Sequence, residues 1–252
     1  IKALVEAGIQ VDIGVLEAEA ELVNPGFLKR MRRGLPLVRL KLAASLDGRT
    51  AMASGESQWI TGPAARADVQ RLRARSGAIV TGVDTVIADN PALTVRDETL
   101  AIPGQPLRVV LDSQLRLPAD ASLLQQPGQV LVVCREKTAA AEALEAAGAE
   151  VLALPGSERV NLLAVLTLLA EREVNEVLVE CGARLAGSFV TAGLVDELVL
   201  YTAPTLLGSN GRPLLDLPID RMDEQQRLEL KELRRVGDDL RMVLVPTAND
   251  SE

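Results

Sequence analysis

The chain has 252 residues, a formal net charge of −8 and no histidine. This acidic balance argues against a nucleic-acid surface, so any bound phosphate must be held by local arginine, lysine or backbone N–H groups. The absence of histidine excludes histidine general bases, Ser-His-Asp triads and histidine-containing zinc sites, and it leaves acid–base chemistry to Asp, Glu, Lys, a hydroxyl or the substrate itself.

The two cysteines, Cys134 and Cys181, lie in or just after apolar runs, where buried, reduced thiols of a cytosolic protein are the default interpretation. No apolar stretch is long enough to span a membrane, and the first residues do not resemble a signal peptide. We therefore expect a cytoplasmic protein without a membrane partner. The length fits one large domain or two small ones.

Residues 1–36 differ in pattern from the rest of the chain. Ile1 to Ala7 is predicted as a helix, Ile9 to Val15 as a strand, and Glu17 to Met31 as a helix interrupted at Asn24-Pro25-Gly26. A basic junction rich in glycine and proline follows at residues 30–36.

From Leu37 onward, apolar strands alternate with helices. Strands are predicted at residues 37–44, 78–81, 107–111, 130–133, 150–154, 176–180 and 197–203, and helices at residues 63–75, 83–88, 138–147, 160–172 and 184–192. Thr61 is the expected cap of the helix that starts at Pro63. The alternation predicts a mixed central sheet with helices on its faces.

The end of the chain has a different pattern. Leu228 to Val236 and Leu240 to Val245 are predicted as two long strands, joined at Gly237-Asp238-Asp239 in an antiparallel hairpin. The apolar alternation of the first strand slips at Glu232-Leu233, so we expect a β-bulge there.

The loop after the first strand is the most informative segment. The run Lys41 to Thr50 and the run Gly55 to Gly62 replace an apolar pattern with Ser, Asp, Gly, Arg and Glu, and they carry Trp59, the only tryptophan. An ordinary surface connection is the plain alternative. Lys41 either extends to solvent or reaches into a site, and Trp59 either covers an aromatic ring or fills a hydrophobic gap.

Two further segments place polar residues at strand or helix ends. The run Asp89 to Arg96 follows a short helix, and its arginine suits a phosphomonoester; a helix end with a solvated charge is the alternative. The run Val177 to Ser188 leads from a strand through Glu180 and Gly182 into a helix, where backbone N–H groups favour a phosphate. Its spacing differs from the Gly-x-Gly-x-x-Gly fingerprint, so it is not a Rossmann site. A plain strand-to-helix turn is its alternative.

Together these segments closely resemble the reductase domain of the bifunctional riboflavin-biosynthesis deaminase/reductase, over residues 37–245. The resemblance implies a dihydrofolate-reductase-like fold and NADPH-dependent reduction of the ribosyl group of 5-amino-6-(5-phosphoribosylamino)uracil. It implies substrate contacts from Ser57, Arg73, Leu93, Arg96 and Glu180. Cofactor contacts are implied for Ala43, Trp59, Thr85, Asp89, Ser113, Gly182, Ala183, Arg184, Leu185, Ala186, Gly187 and Ser188. Asp89, Lys41 and Glu180 are the candidates for moving a proton, and Arg135 is a candidate for meeting a 2′-phosphate.

Residues 1–33 resemble the closing strand and helix of the zinc deaminase domain that precedes the reductase in this family. The start at Ile1 rather than Met indicates a fragment or a processed product. We place a linker at residues 34–36, the reductase domain at 37–246 and a tail at 247–252. The deaminase signature pairs His-x-Glu with Pro-Cys-x-x-Cys, and neither occurs in these 252 residues. Deamination by the chain as given is therefore excluded, and no zinc is expected.

Two alternatives stay open. One is another pyrimidine or pterin reductase on the same fold, such as dihydrofolate reductase, although a pterin pocket usually presents aromatic side chains and this chain has only Phe27, Phe189, Tyr201 and Trp59. The other is a catalytically silent fragment kept for oligomer contacts. We expect a homodimer or a higher homo-oligomer.

Overall fold

The computed structural model describes residues 1–154 and 158–247. Its strands are β1 (Leu37–Ser45), β2 (Arg49–Ala51), β3 (Ala78–Gly82), β4 (Leu107–Leu111), β5 (Val130–Cys134), β6 (Glu150–Ala153), β7 (Glu176–Glu180), β8 (Glu197–Ala203), β9 (Arg212–Pro213), β10 (Leu228–Val236) and β11 (Asp239–Pro246). Its helices are α1 (Lys2–Glu6), α2 (Glu17–Val23), α3 (Pro25–Arg33), α4 (Pro63–Arg75), α5 (Val83–Asp89), α6 (Ala140–Ala146), α7 (Leu162–Glu171) and α8 (Ala183–Thr191). Short 3₁₀ turns lie at Ser122–Gln125 and Met222–Glu224.

Nine of the strands form one sheet in the order β10-β11-β8-β1-β7-β3-β4-β5-β6. The strands from β8 to β6 are all parallel, and β11 and β10 add an antiparallel edge. This confirms the predicted mixed sheet with a C-terminal hairpin. A two-stranded sheet of β2 and β9 was not predicted, because two- and three-residue strands leave no periodic pattern.

Helices cover both faces of the sheet, because its central strands are apolar on both sides. In β3, Ala78 and Val80 pack with the apolar faces of α7 and α8, whereas Ile79 packs against α4 on the opposite face. A further cluster joins α5 and α6 to β4, β5 and β6. The result is a three-layer arrangement whose polar loops gather at the ends of the strands.

Helix α3 packs at the amino ends of the central strands, beside the residues that precede β7 and β8. Gly26 of α3 lies so close to Asn175 that an added Cβ would be 2.7 Å from its carbonyl oxygen. Lys29 donates to Asp196 at 2.6 Å. The predicted strand at Ile9 to Val15 is wrong: these residues form no strand, because no neighbouring strand is available to pair with them.

The C-terminal hairpin confirms the predicted bulge, since the pairing register shifts between Leu230 and Glu232. The hairpin also explains an error at the start of α4. Gly62 rather than Thr61 is the N-cap, and its N–H donates to the Asp239 carboxylate at 2.8 Å. A carboxylate distant in sequence thus replaces the local hydroxyl cap that we expected.

Candidate active site

A cavity of about 680 Å³ opens where β7 ends between β1 and β3. The chain places β1 and β3 early and inserts β7 between them much later, and ligands of open α/β sheets bind at such changes of strand order. The volume suits a small-molecule ligand. Twelve predicted site residues line the cavity: Lys41, Ala43, Ser57, Trp59, Arg73, Thr85, Asp89, Leu93, Arg96, Glu180, Gly182 and Ala183.

Glu180 and Arg73 form the polar floor of the cavity. Arg73 Nε donates to Glu180 Oε1 at 2.6 Å and Nη2 to Oε2 at 3.0 Å, and the two side chains are only 11% and 12% exposed. Burial acts to raise the pKa of the Glu180 carboxyl, but the charge and hydrogen bonds of Arg73 outweigh it and hold that pKa below its usual value. Glu180 is therefore a carboxylate at neutral pH and acts as a hydrogen-bond acceptor.

Lys41 lies beside this pair, because β1 and β7 place it directly across from Glu180. Its ammonium also lies 5.9 Å from the centre of the Tyr201 ring, within the range of a cation–π contact. Burial lowers the pKa of the Lys41 ammonium, and the Glu180 charge only partly restores it. Lys41 thus gives up a proton more readily than a solvated lysine does.

The segment after α5 has an unusual backbone. Leu93 is 3% exposed and adopts φ of +50°, a left-handed conformation that is uncommon for a bulky residue and is concentrated at functional sites. Two side chains fix the segment: Gln70 accepts from Arg96 N at 2.8 Å, and Gln105 bonds both backbone groups of Val95. Arg73 Nη1 adds a bond to Thr94 O at 3.0 Å.

Arg96 differs from Arg73 in its availability. The Arg96 side chain is exposed, lines the cavity and makes neither a hydrogen bond nor an ion pair within the described ranges. Arg73 uses three donors on Glu180 and Thr94. Of the two arginines predicted to bind phosphate, Arg96 therefore has its guanidinium available for a ligand within the described ranges, whereas the Arg73 guanidinium is bonded to Glu180 and Thr94.

The opening loop, between β1 and α4, lines the cavity and contacts the end of α5. Ser57 Oγ donates to Asp89 Oδ1 at 3.3 Å, which joins the loop to the end of α5. Trp59 is 68% exposed, so it does not fill a hydrophobic gap. The Arg66 guanidinium lies 4.5 Å from the centre of its ring and donates to Thr61 O at 2.7 Å, which holds the indole at the rim.

The turn from β7 into α8 supplies backbone N–H groups. Gly182 is the N-cap of α8, and its own N–H is capped by the hydroxyl of Thr85. A Cβ at Gly182 would meet nothing within 4 Å, so the turn is open to the cavity. Thr85 on α5 lies beside it, at 3.3 Å from the Gly182 nitrogen.

Six predicted cofactor residues do not line the cavity: Ser113, Arg184, Leu185, Ala186, Gly187 and Ser188. Ser113 Oγ instead accepts from Val160 N at 3.1 Å. Ser188 Oγ donates within its own helix, to Arg184 O at 2.9 Å. Gly187 has a packing role, because a Cβ there would be 1.9 Å from the Asp216 carbonyl oxygen. Glycine is therefore needed at position 187 because the backbone of Asp216 approaches α8 closely there.

Several lining residues were not predicted: Arg66, Gln70, Asn90, Ser122, Gln126 and Arg212. Ser122 and Gln126 belong to a loop held by the fully buried Arg108, whose guanidinium donates to Leu123 O at 2.6 Å and Gly128 O at 2.8 Å. Arg212 lies in the segment that follows the carboxyl end of β8. Because ligands bind at the carboxyl ends of parallel strands, this position could have indicated from the sequence that Arg212 lines the cavity.

Two structural findings complete the site. Among residues 1–154 and 158–247, no group of three or more His, Cys, Asp and Glu side chains is arranged to hold a metal ion. Within the same ranges, no helix is both long enough and apolar enough to cross a bilayer.

Known proteins share this sequence and arrangement. The family model of the RibD C-terminal domain matches residues 36–242. The riboflavin biosynthesis protein RibD of Escherichia coli K12 is 46% identical over an alignment of 254 positions. This alignment covers 96% of this chain and 68% of that protein. The Haemophilus influenzae protein of the same name is 44% identical, and the alignment covers 98% of this chain and 68% of that protein.

Solved structures agree. Acinetobacter baumannii RibD superposes with a TM-score of 0.88 at 43% identity, over 98% of this chain and 68% of that one. The Thermotoga maritima deaminase/5-amino-6-(5-phosphoribosylamino)uracil reductase gives a TM-score of 0.82 at 25% identity, over 98% and 66%. The resemblance found in the sequence is thereby confirmed. With its cavity at the predicted strand ends, this chain belongs to the RibD C-terminal domain family, the reductases of riboflavin biosynthesis.

Proposed function

We propose that this chain catalyses the NADPH-dependent reduction of the ribosyl group of 5-amino-6-(5-phosphoribosylamino)uracil to the ribitylamino product. One observation carries the proposal: Lys41, Asp89 and Glu180 come from remote segments and line a single cavity. The Thermotoga maritima relative is named as a reductase of this same compound.

The phosphate end of the substrate fits the segment after α5. Arg96 offers a guanidinium without an internal partner, and the left-handed Leu93 lies at the same wall. Ser57 adds a hydroxyl from the opening loop, where it contacts Asp89 at the end of α5. Arg73 orients this wall through Thr94, while its carboxylate partner Glu180 remains free to accept from sugar hydroxyls or uracil N–H groups on its open side.

The turn at Gly182 and Ala183 fits the phosphates of a dinucleotide, because the N–H groups that follow Gly182 at the start of α8 can donate to an anion. Thr85 and Ala43 would line the same cofactor, and the exposed Trp59 ring would cover its nicotinamide. When bound, the reduced nicotinamide supplies hydride for C1′ of the sugar. Ser113 and Arg135 follow β4 and β5, farther along the sheet, and stay candidates for the adenosine half.

The reaction adds one hydride and one proton. Ring opening of the glycosylamine gives an imine at C1′; hydride on this carbon and a proton on the adjacent nitrogen complete the amine. We assign the proton to the Lys41 ammonium, because burial makes it a stronger acid than a solvated lysine. The neighbouring Glu180 carboxylate stabilises the ammonium until the transfer.

Asp89 has a positioning role in this proposal. A carboxylate at the end of α5 opposes the helix dipole, which a purely structural residue would avoid. Its bond from Ser57 joins the two walls that must enclose both ligands, and alignment of the ligands accounts for much of the rate of such a reaction.

The same proposal covers the rest of the chain. We assign residues 1–33 to the end of a deaminase domain, with deamination itself absent because these 252 residues contain no histidine. The exposed apolar side chains on this segment, including Leu4, Val5 and Leu22, form a surface against which such a domain would pack.

We also propose a homodimer that forms through the edge strand β10, which exposes Leu230 and Leu233. Light scattering of the chain and of its L230K/L233K variant checks this: a dimer that the double substitution converts to a monomer supports the assignment, and an unchanged mass contradicts it.

Absorbance at 340 nm, with the authentic phosphorylated substrate, tests the main proposal. We expect NADPH oxidation with 5-amino-6-(5-phosphoribosylamino)uracil, slower oxidation of NADH, and none with dihydrofolate. Turnover of dihydrofolate alone would favour a pterin reductase. Absence of any turnover, together with failure of NADPH to change Trp59 fluorescence, would identify a silent fragment.

A further inference from the structure

Arg212 is held on a segment anchored at two points of the cavity. Strand β9 pairs Arg212 with Ala51 of β2, just after the opening strand. The adjacent Gly211 lies so close that an added Cβ would be 2.9 Å from the Ala51 carbonyl oxygen. Four residues later, Asp216 N donates to Ala183 O at 3.1 Å. The segment therefore bridges the opening loop and the start of α8.

The Arg212 side chain lies against the opening loop and lines the cavity. A Cβ added to Gly55 would be 2.8 Å from Arg212 Nη2, and Gly55 itself has φ of +95°. The positive φ favours glycine at this position, and the short distance shows how closely the guanidinium approaches the loop. The loop is thus shaped to receive this arginine two residues before Ser57.

The Arg212 guanidinium makes no hydrogen bond and has no carboxylate within ion-pair distance in the described part of the chain. The other arginines of the cavity differ: Arg73 is paired with Glu180, and Arg66 donates to a carbonyl and covers Trp59. Only Arg96 is comparably free among the described lining residues.

The charge of the cavity wall is opposite to that of the chain. Five cationic side chains and three carboxylates line it, whereas the whole chain carries −8. Of the three carboxylates, Glu180 is paired with Arg73 and Asp84 with Arg116 outside the cavity. An entering anion therefore meets a net positive wall with two arginines that lack an internal partner.

We infer that Arg212 binds a phosphate group of a ligand in this cavity, as a second cation in addition to Arg96. A guanidinium fork binds phosphate oxygens through two parallel bonds, which a lysine cannot reproduce. The inference deepens the proposed function and rests on it. The phosphate is either the monoester of the sugar substrate, on the Ser57 side, or the pyrophosphate of the cofactor, on the Ala183 side.

Steady-state kinetics of the Arg212→Gln and Arg212→Lys variants test the inference. In Arg212→Gln we expect the KM of one phosphate-bearing ligand to rise about 10- to 100-fold, as for loss of a hydrogen bond to a charged group, with kcat changed less than about threefold. Arg212→Lys should recover part of the loss. A raised KM for the sugar phosphate identifies the monoester, and a raised KM for NADPH identifies the pyrophosphate. Both KM values within twofold of the unchanged chain would overturn the inference.

Two controls separate this result from other failures. Arg221→Gln removes an exposed arginine that is paired with Asp223 and does not line the cavity, and it should leave both KM values unchanged. If the unchanged chain does not reduce the uracil substrate, the proposed function fails, but calorimetric titration still decides on Arg212. In that titration Arg212→Gln should weaken binding of NADPH or of ribose 5-phosphate, with ribose as the uncharged comparison.

Discussion

Replacement of Glu180 by Gln isolates the charge of the buried pair at the floor of the cavity. Gln keeps the size of the side chain and one acceptor oxygen but removes the negative charge that Arg73 and Lys41 face. Both partners of the Arg73–Glu180 pair are nearly buried, at 11% and 12% exposure. Removal of one member of such a pair costs about 3–5 kcal/mol, because the other charge stays buried without compensation.

We expect Glu180→Gln to fall at the lower end, about 3 kcal/mol of unfolding free energy, because the amide oxygen still accepts one bond from Arg73. Urea unfolding followed by far-ultraviolet circular dichroism at pH 7 measures this value. Trp59 fluorescence is unsuitable, since the indole is 68% exposed. A loss below about 1 kcal/mol would show that water reaches the pair and would refute the reasoning.

The pH dependence provides a second reading of the same variant. The folded-state pKa of Glu180 is depressed below its usual 4.5. Its stabilising contribution is therefore fully present above about pH 4.5 and is lost as pH falls through the lower folded value. The difference in stability between the unchanged chain and Glu180→Gln should shrink on acidification. A constant difference from pH 7 to pH 3 would contradict the assigned ionisation.

Glu176 provides a matched control at the other end of β7. It pairs with the buried Arg39 and with Arg75 but does not line the cavity. Glu176→Gln should also lower stability, while the KM of the substrate stays unchanged. Glu180→Gln should raise that KM in addition.

Three further substitutions address single groups. Asp89→Ala should reduce turnover about 100-fold, as expected for loss of ligand alignment, without lowering Tm, because the exposed carboxylate opposes the α5 dipole; near-normal turnover would remove Asp89 from the mechanism. Lys41→Arg should lower kcat at neutral pH about 100-fold or more, because arginine keeps the charge but does not release a proton. The residual activity should lack the basic limb of the kcat/KM profile that the lowered lysine pKa causes; an unchanged kcat and limb would assign the proton to another group. Tyr201→Phe removes the 2.7 Å bond to the buried Asp68 and should cost about 1–3 kcal/mol in urea unfolding, whereas no loss would show that Arg234 and Arg241 together satisfy that carboxylate.

The elements that follow local rules could be predicted from the sequence. Strands β7 and β8 were predicted to the residue and the hairpin nearly so, because continuous apolar runs and a glycine turn specify them locally. The strand predicted at Ile9 to Val15 failed because a strand needs a partner. The cap of α4 was misplaced for a similar reason, since Asp239 is distant in sequence.

The candidate site shows the same division. The sequence by itself predicted that polar loops follow the apolar strands, and its resemblance to a known family implied that Lys41, Asp89 and Glu180 share one cleft at the carboxyl ends of those strands. Only the tertiary structure decided that Arg73 serves Glu180 rather than standing free, and that Arg212 reaches the same cavity. Such pairings depend on how the crossovers bring segments more than 100 residues apart into contact, and no local periodicity encodes that geometry.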